Sequence, residues 1–316
     1  MRQVVQRLRL EPAPKKRGRP FVYTWPTVLG CFMVLVTYRL TGFRSLHRFL
    51  KGNPSLAQAC GLPEGQVPCD RTFSRRFQRL DGVLLQATAQ LLRRLTSRRL
   101  LRWTLTVIDA TPLVAKGRRP KGKTAERRTT DKEARWGRST TKGWFWGYKL
   151  HVLVAVRPVI LPLAWTVTPA HRNDVTQLLP VVAQARLFLR RLLQRIREVV
   201  GDMAYDCQAR YRTLASWRIR LTTPINRRRG GRPSPLQRKR RHHARSHRGR
   251  RLLKRRADVE RFFSQDKGIF QIDPLPVVGQ AQVTTYISVV LVTYLAGVAY
   301  NGWAHRPPRA LKSLVA

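Results

Sequence analysis

The chain has 316 residues, with 63 Lys plus Arg against 16 Asp plus Glu, a formal net charge of +47, and 43% hydrophobic residues. That apolar share supplies a core and excludes a wholly disordered polycation, while the charge points to a polyanionic partner, nucleic acid first. Eight tryptophans fit poorly with a small ribosomal-type protein, and no basic amphipathic helix supports a binder of anionic membranes.

Residues 1–24 read as a basic N-terminal arm. Within it "KKRGRP" offers Arg17 and Arg19 in a flat peptide of the kind that enters an A/T-rich minor groove, and the segment lacks the apolar core of a signal peptide. Residues 25–100 have helical texture, with apolar residues at three- and four-residue spacing in "LLQATAQLLRRL" and breaks at "NPS" and "LPEG". "PCDRTFSRRF" looks like a capped helix start carrying Arg75 and Arg76, so a small helical DNA-binding domain is expected.

The texture changes after residue 100. "LTVIDATPLV", "YKLHVLVAV" and "LPLAWTVTPA" are strand-like, and residues 174–196 form an amphipathic helical pattern opening on Asp174. "REVVGDMAYD" is a short buried strand ending in a turn, followed by a helix over 207–217 and a strand over 218–225. Residues 101–275 therefore predict an α/β domain with a mixed sheet. Two basic loops are expected in it. One is 116–142; the other is 227–256, with 15 Lys or Arg among 30 residues and no acid. Residues 276–316 predict a C-terminal helix and tail. The apolar stretch 283–303 approaches membrane-spanning length, but its Thr, Ser, Asn and Tyr residues suit a buried helix better.

The four cysteines form no CxxC pair and fit a reducing compartment, and with the charge they point to a cytoplasmic, nucleoid-associated place of action. His242, His243 and His247 have no cysteine or carboxylate beside them to complete a zinc site.

Sixteen acids in so cationic a chain are few enough to sort. Asp109 lies inside a strand, where a lone carboxylate is costly to bury; Asp202 follows the short apolar strand, where α/β folds place ligand-binding groups; Glu260 lies on a later helix with Phe262, Phe263 and Ile269 facing inward. Three converging carboxylates suit a hard divalent cation. Lys149 and His151 in "GYKLH" alternate along a strand and are candidate phosphate contacts, and Trp136, Trp144 and Trp146 flank the first basic loop.

The order "VIDAT", "GYKLH", "PAHRNDV", "GDMAYD", "RRADVERFFSQDK" over roughly residues 26–304 resembles the DDE transposases of bacterial insertion sequences. The resemblance implies an RNase H-like fold preceded by the small all-helical domain, with Asp109, Asp202 and Glu260 as catalytic and metal ligands. It implies two Mg²⁺ ions, with Mn²⁺ able to substitute. Duplex DNA would be the partner, as terminal inverted repeats and as target, and the chain would act as a homodimer or larger homo-oligomer, away from membranes. Arg256, Glu260 and Lys267 fit the family's Tyr-x₂-Arg-x₃-Glu-x₆-Lys signature, with Leu253 at the tyrosine position, and Arg256 and Lys267 would contact phosphate. Two other readings use the same residues: a catalytically inactive DNA-binding protein derived from a transposase, and a stand-alone RNase H-like nuclease that cuts without joining.

Overall fold

A computed structural model describes residues 4, 6–10, 22–120, 129–139, 142–189, 194–226 and 235–314. Arg17 and Arg19 lie outside the described residues. The chain divides into two compact units that do not follow its linear order. One comprises Met1–Leu95, Ala115–Lys132 and Asp266–Ala316; the other comprises Thr96–Val114 and Glu133–Gln265.

The first unit is helical. It holds α1 (Trp25–Thr37), α2 (Phe43–Gly52), α3 (Pro54–Ala59), α4 (Asp70–Phe77) and most of α5 (Asp81–Ser97). Thr24 starts α1 by accepting a hydrogen bond from the Thr27 amide, with Pro26 in the first turn, where its missing N–H costs nothing. α5 buries Val83, Leu84, Ala87, Leu91, Leu92 and Leu95, the helical spacing read from the sequence. Phe32, Phe43, Phe73 and Phe77 pack ring against ring at centroid distances of 5.2–6.0 Å. Cys31 and Cys60 are both buried and their thiols hydrogen-bond to each other.

The apolar C-terminal stretch is one long helix of this unit. It is long and apolar enough to cross a membrane, yet 89% of its apolar window is buried inside the protein. Its Thr285 hydroxyl donates to Asp81 on α5, 2.8 Å away, so this polar group is satisfied by protein rather than by lipid or water.

The second unit carries the sheet: β1 (Leu105–Val114), β2 (Arg135–Ser139), β3 (Gly143–Ala155), β4 (Leu161–Pro169), β5 (Glu198–Val200) and β6 (Arg220–Thr222). The order runs β2-β3-β1-β5-β6, with β4 also on β3. β3 pairs antiparallel with β1, β2 and β4, whereas β1, β5 and β6 run parallel. Parallel neighbours need crossovers, and helices supply them: α6 (Asp174–Leu189) before β5 and α7 (Gln208–Ser216) before β6. This is a mixed α/β sheet with flanking helices. β2 arises within the stretch expected to be a loop, held by its register from Arg135↔Gly147 to Ser139↔Gly143.

The basic stretch after residue 226 also differs from the expected loop, because its described part is helical: α8 (Pro235–Arg245) and α9 (His247–Leu253). Ser246 makes the corner. Its hydroxyl donates to the His243 carbonyl at 2.7 Å and accepts from the Gly249 amide at 3.1 Å. Gly249 lets the helices approach closely, since a Cβ there would lie 1.9 Å from the His243 carbonyl oxygen. Two acids offset part of the charge: Asp206 is 3.9 Å from Arg240 and Glu198 is 3.7 Å from Arg248. Helix α10 (Arg256–Phe270) follows, and the C-terminal apolar helix is α11 (Gln280–Trp303).

Candidate active site

Two aspartates meet at the parallel strands. Asp109 stands within β1, and its carboxylate accepts a hydrogen bond from the Ala110 amide at 2.8 Å. Asp202 comes two residues beyond β5, across Gly201, and caps a short 3₁₀ turn (Met203–Tyr205) by accepting from the Ala204 amide at 2.8 Å. β1 and β5 are hydrogen-bonded neighbours with Val107 level with Val200, so the two positions fall close together in the sheet. Burial pushes the Asp109 carboxyl up to about 7, and the nearby Asp202 and Asp174 carboxylates push the same way against the Ala110 amide and Arg256. Asp202 is raised too, again mainly by burial. Arg256, at the start of α10, is the cation that acts on both.

Tyr205 completes the floor of this site. Its ring is buried and its hydroxyl has no hydrogen-bond partner among the described residues, while the three aspartates 109, 174 and 202 act on it electrostatically after burial itself.

Asp174 is the member that its sequence position hides. It opens α6, where an acid is expected as a helix cap, yet its Oδ1 accepts from Lys149 Nζ at 2.9 Å and lies 4.0 Å from His151 Nδ1. The register seats Asp109 opposite Val152 and Ala110 opposite His151, so Lys149 and His151 project from the other face of the sheet from Asp109. His151 is fully buried, bonds Thr168 at 2.9 Å and is lowered to about 4, chiefly by burial. It is a neutral imidazole at pH 7 with no access to a phosphate. The signal that would have revealed Asp174 is the alternation of Lys149 and His151 on one strand face, which needs an acid beside it.

Glu260 is exposed on α10, one turn after Arg256 and on the same helix face. Among the described residues no group of three or more His, Cys, Asp or Glu side chains lies close enough to hold a metal ion, so Asp109, Asp202 and Glu260 do not form one here. Lys267 continues that helix face and sits 3.9 Å from Asp273. Leu253, at the tyrosine position, ends α9 and belongs to a different helix from Arg256. Among the other basic candidates, Arg75 is exposed on α4. Arg76 is only 5% exposed: its guanidinium stacks 4.6 Å from the Trp25 ring centroid and donates to the Tyr23 carbonyl, and so it faces the core of its unit. Trp136 and Trp146 pack edge to face, whereas Trp144 is 64% exposed opposite Arg138.

The family model for the transposase DDE domain matches residues 104–296, a span that begins one residue before β1 and contains both aspartates and α10. The chain belongs to the DDE transposase family. No curated protein matches it. Membership makes the protein a DNA transposase and its mixed sheet an RNase H-like one, with β1 central between the antiparallel β3 and the parallel β5.

Proposed function

We propose that this transposase cuts phosphodiester bonds at the ends of its own element and joins the freed 3′-hydroxyl to target DNA, using Asp109, Asp202 and Glu260. The observation that carries the reading is the aspartate pair: one carboxylate within β1 and one just beyond the parallel β5, both raised chiefly by burial, with one arginine acting on both.

The donor set suits a divalent cation. Oxygen-only ligands favour Mg²⁺ or Mn²⁺, and a cation beside this pair offsets the cost of holding two buried carboxylates in their charged form. Asp109 and Asp202 would hold it, with Glu260 as the third ligand from the helix face that begins with Arg256. When bound, two such ions activate the attacking oxygen and stabilise the leaving one in an in-line displacement. The chain's own part is positioning. The Ala110 and Ala204 amides fix the two carboxylates. Arg256 suits two-pronged contact with a backbone phosphate, and Lys267 a single one. Arg75, exposed on the helical unit, and the Lys149 ammonium, held by Asp174 on the other sheet face from Asp109, add positive charge for DNA further from the cut. Paired element ends would be handled by a homodimer or larger homo-oligomer.

The test is cleavage and joining of supercoiled plasmid carrying the element's ends, with Mg²⁺ or Mn²⁺. Asp202→Asn is expected to bind DNA as tightly as the unaltered protein while cutting nothing, and to lose the heat of Mn²⁺ binding in calorimetry. Cleavage retained by Asp202→Asn sinks the assignment, and cleavage without joined products reduces the protein to a nuclease.

A further inference from the structure

The sheet-bearing unit has a second concentration of charge, at the other end of its parallel strands. A cavity of about 640 Å³ opens beside the first residues of β5 and β6, and its lining includes Arg186, Arg195, Arg197, Arg218, Arg220 and Arg248, all exposed. A second cavity of about 720 Å³ begins at Leu105, the first residue of β1. It shares Arg248 with the first and adds Arg157, Arg251 and Lys254, and its acid, Asp258, is already paired with Arg255 and Arg261. The first cavity's one acid, Glu198, is buried and already engaged, accepting from the Thr222 hydroxyl at 2.5 Å with Arg248 3.7 Å away. Its carboxylate therefore offsets one of the six arginines. The rest face solvent.

This cationic band is remote from the carboxylates. Leu105 precedes Asp109 by four residues on one strand, and Glu198 precedes Asp202 by four on the next, so about 13 Å of extended chain separates the two ends. A phosphate presented to the aspartates does not reach these arginines.

We propose that the two cavities form one seat for the sugar–phosphate backbone of duplex DNA, holding a stretch other than the one brought to Asp109 and Asp202. Arginine forks fit phosphate oxygens two at a time. Trp217 is the aromatic group in the lining, and one face of its ring is taken by the Arg186 guanidinium 4.5 Å from its centroid, which favours backbone contact over stacking of a base. Cations spread over the starts of three strands match the closely spaced charges of a duplex, whereas a single small anion leaves most of them unpaired. The choice of DNA as partner rests on the function proposed above; the anion-binding character of the seat does not.

Arginine-selective chemical modification, read residue by residue by mass spectrometry, tests this on the full chain. A linear duplex lacking any element end is expected to protect Arg195, Arg197, Arg218 and Arg220, and to do so better than an RNA hairpin or polyglutamate at equal charge. Substituting these four by Gln is expected to make the dependence of log affinity on log salt shallower by roughly 3–4, at about 0.9 per lost phosphate contact. The seat is ruled out if the four arginines react equally with and without duplex while others are protected, or if RNA or polyglutamate protects them better. Plasmid cleavage by the unaltered protein separates the two proposals. Protection without cleavage removes the catalytic reading and leaves this one, and cleavage without protection does the reverse.

Discussion

Lys149 Nζ lies 2.9 Å from Asp174 Oδ1, which ties the middle of β3 to the first turn of α6 beside the aspartate pair. Both side chains are partly exposed, at 17% and 26%, so the pair is screened. A double-mutant cycle with Lys149→Met and Asp174→Asn is expected to give a coupling of about 1 kcal/mol in urea unfolding. Asp174→Asn should also lower the apparent pKa of cleavage, since it removes a carboxylate that raises both Asp109 and Asp202. A cleavage pH profile unchanged by Asp174→Asn contradicts the electrostatic role.

Gly201 has no room for a side chain. A Cβ there would lie 3.0 Å from the Tyr205 ring, which is buried and has little freedom to yield. Gly201→Ala is therefore expected to destabilise the protein by roughly 1–3 kcal/mol through overpacking. Because Asp202 is the next residue, cleavage should fall further than stability alone explains. Urea midpoints and cleavage rates of the same preparation provide the comparison.

With the catalytic role proposed for it, Asp109 would trade stability for function. Its folded-state carboxyl titrates near 7, above the unfolded value, so the folded protein binds the extra proton between about pH 4 and 7 and loses stability as pH rises through that range. Asp109→Asn should abolish cleavage and yet raise the melting temperature of the metal-free protein at about pH 8. Adding Mg²⁺ should stabilise the unaltered protein and leave the variant's melting temperature where it was. A melting temperature lowered by the substitution counts against this account.

Asp266 is another buried acid, in the helical unit and outside any catalytic proposal. Neither of its oxygens has a hydrogen-bond partner among the described residues, and burial pushes it up to about 7, with only the Lys267 charge opposing. The same sign applies: its contribution to stability falls as pH rises from about 4 to 7, by up to about 4 kcal/mol. Asp266→Asn should be more stable than the unaltered chain at about pH 8, with the difference vanishing near pH 4. Equal denaturation midpoints at both pH values would refute it.

Asp109 and Asp202 stood out from chain order alone, because a lone acid inside "TVIDAT" and another straight after "REVVG" are costly placements, and the sheet does bring the two close together. The long strands β1 and β4 and the C-terminal helix were legible for the simpler reason that periodicity is local. Asp174 was not: its sequence position is that of an ordinary helix cap, and its partners are 23 and 25 residues upstream. Nor was the fate of Arg76, which reads as a surface arginine and stacks on Trp25 instead.

By itself, the amino-acid sequence pointed to a polyanionic partner, to every strand but β2 in chain order, and to the two acids within and just beyond a strand, all properties of composition or of short windows. Pairing was decided only by the tertiary structure. The parallel register of β1 with β5 brings Asp109 to Asp202, and the Ser246 corner and Gly249 contact fold a repelling basic run into two helices. The starts of β1, β5 and β6 gather arginines from distant segments into one band. Each depends on contacts between residues far apart in the chain, where no local preference carries the information.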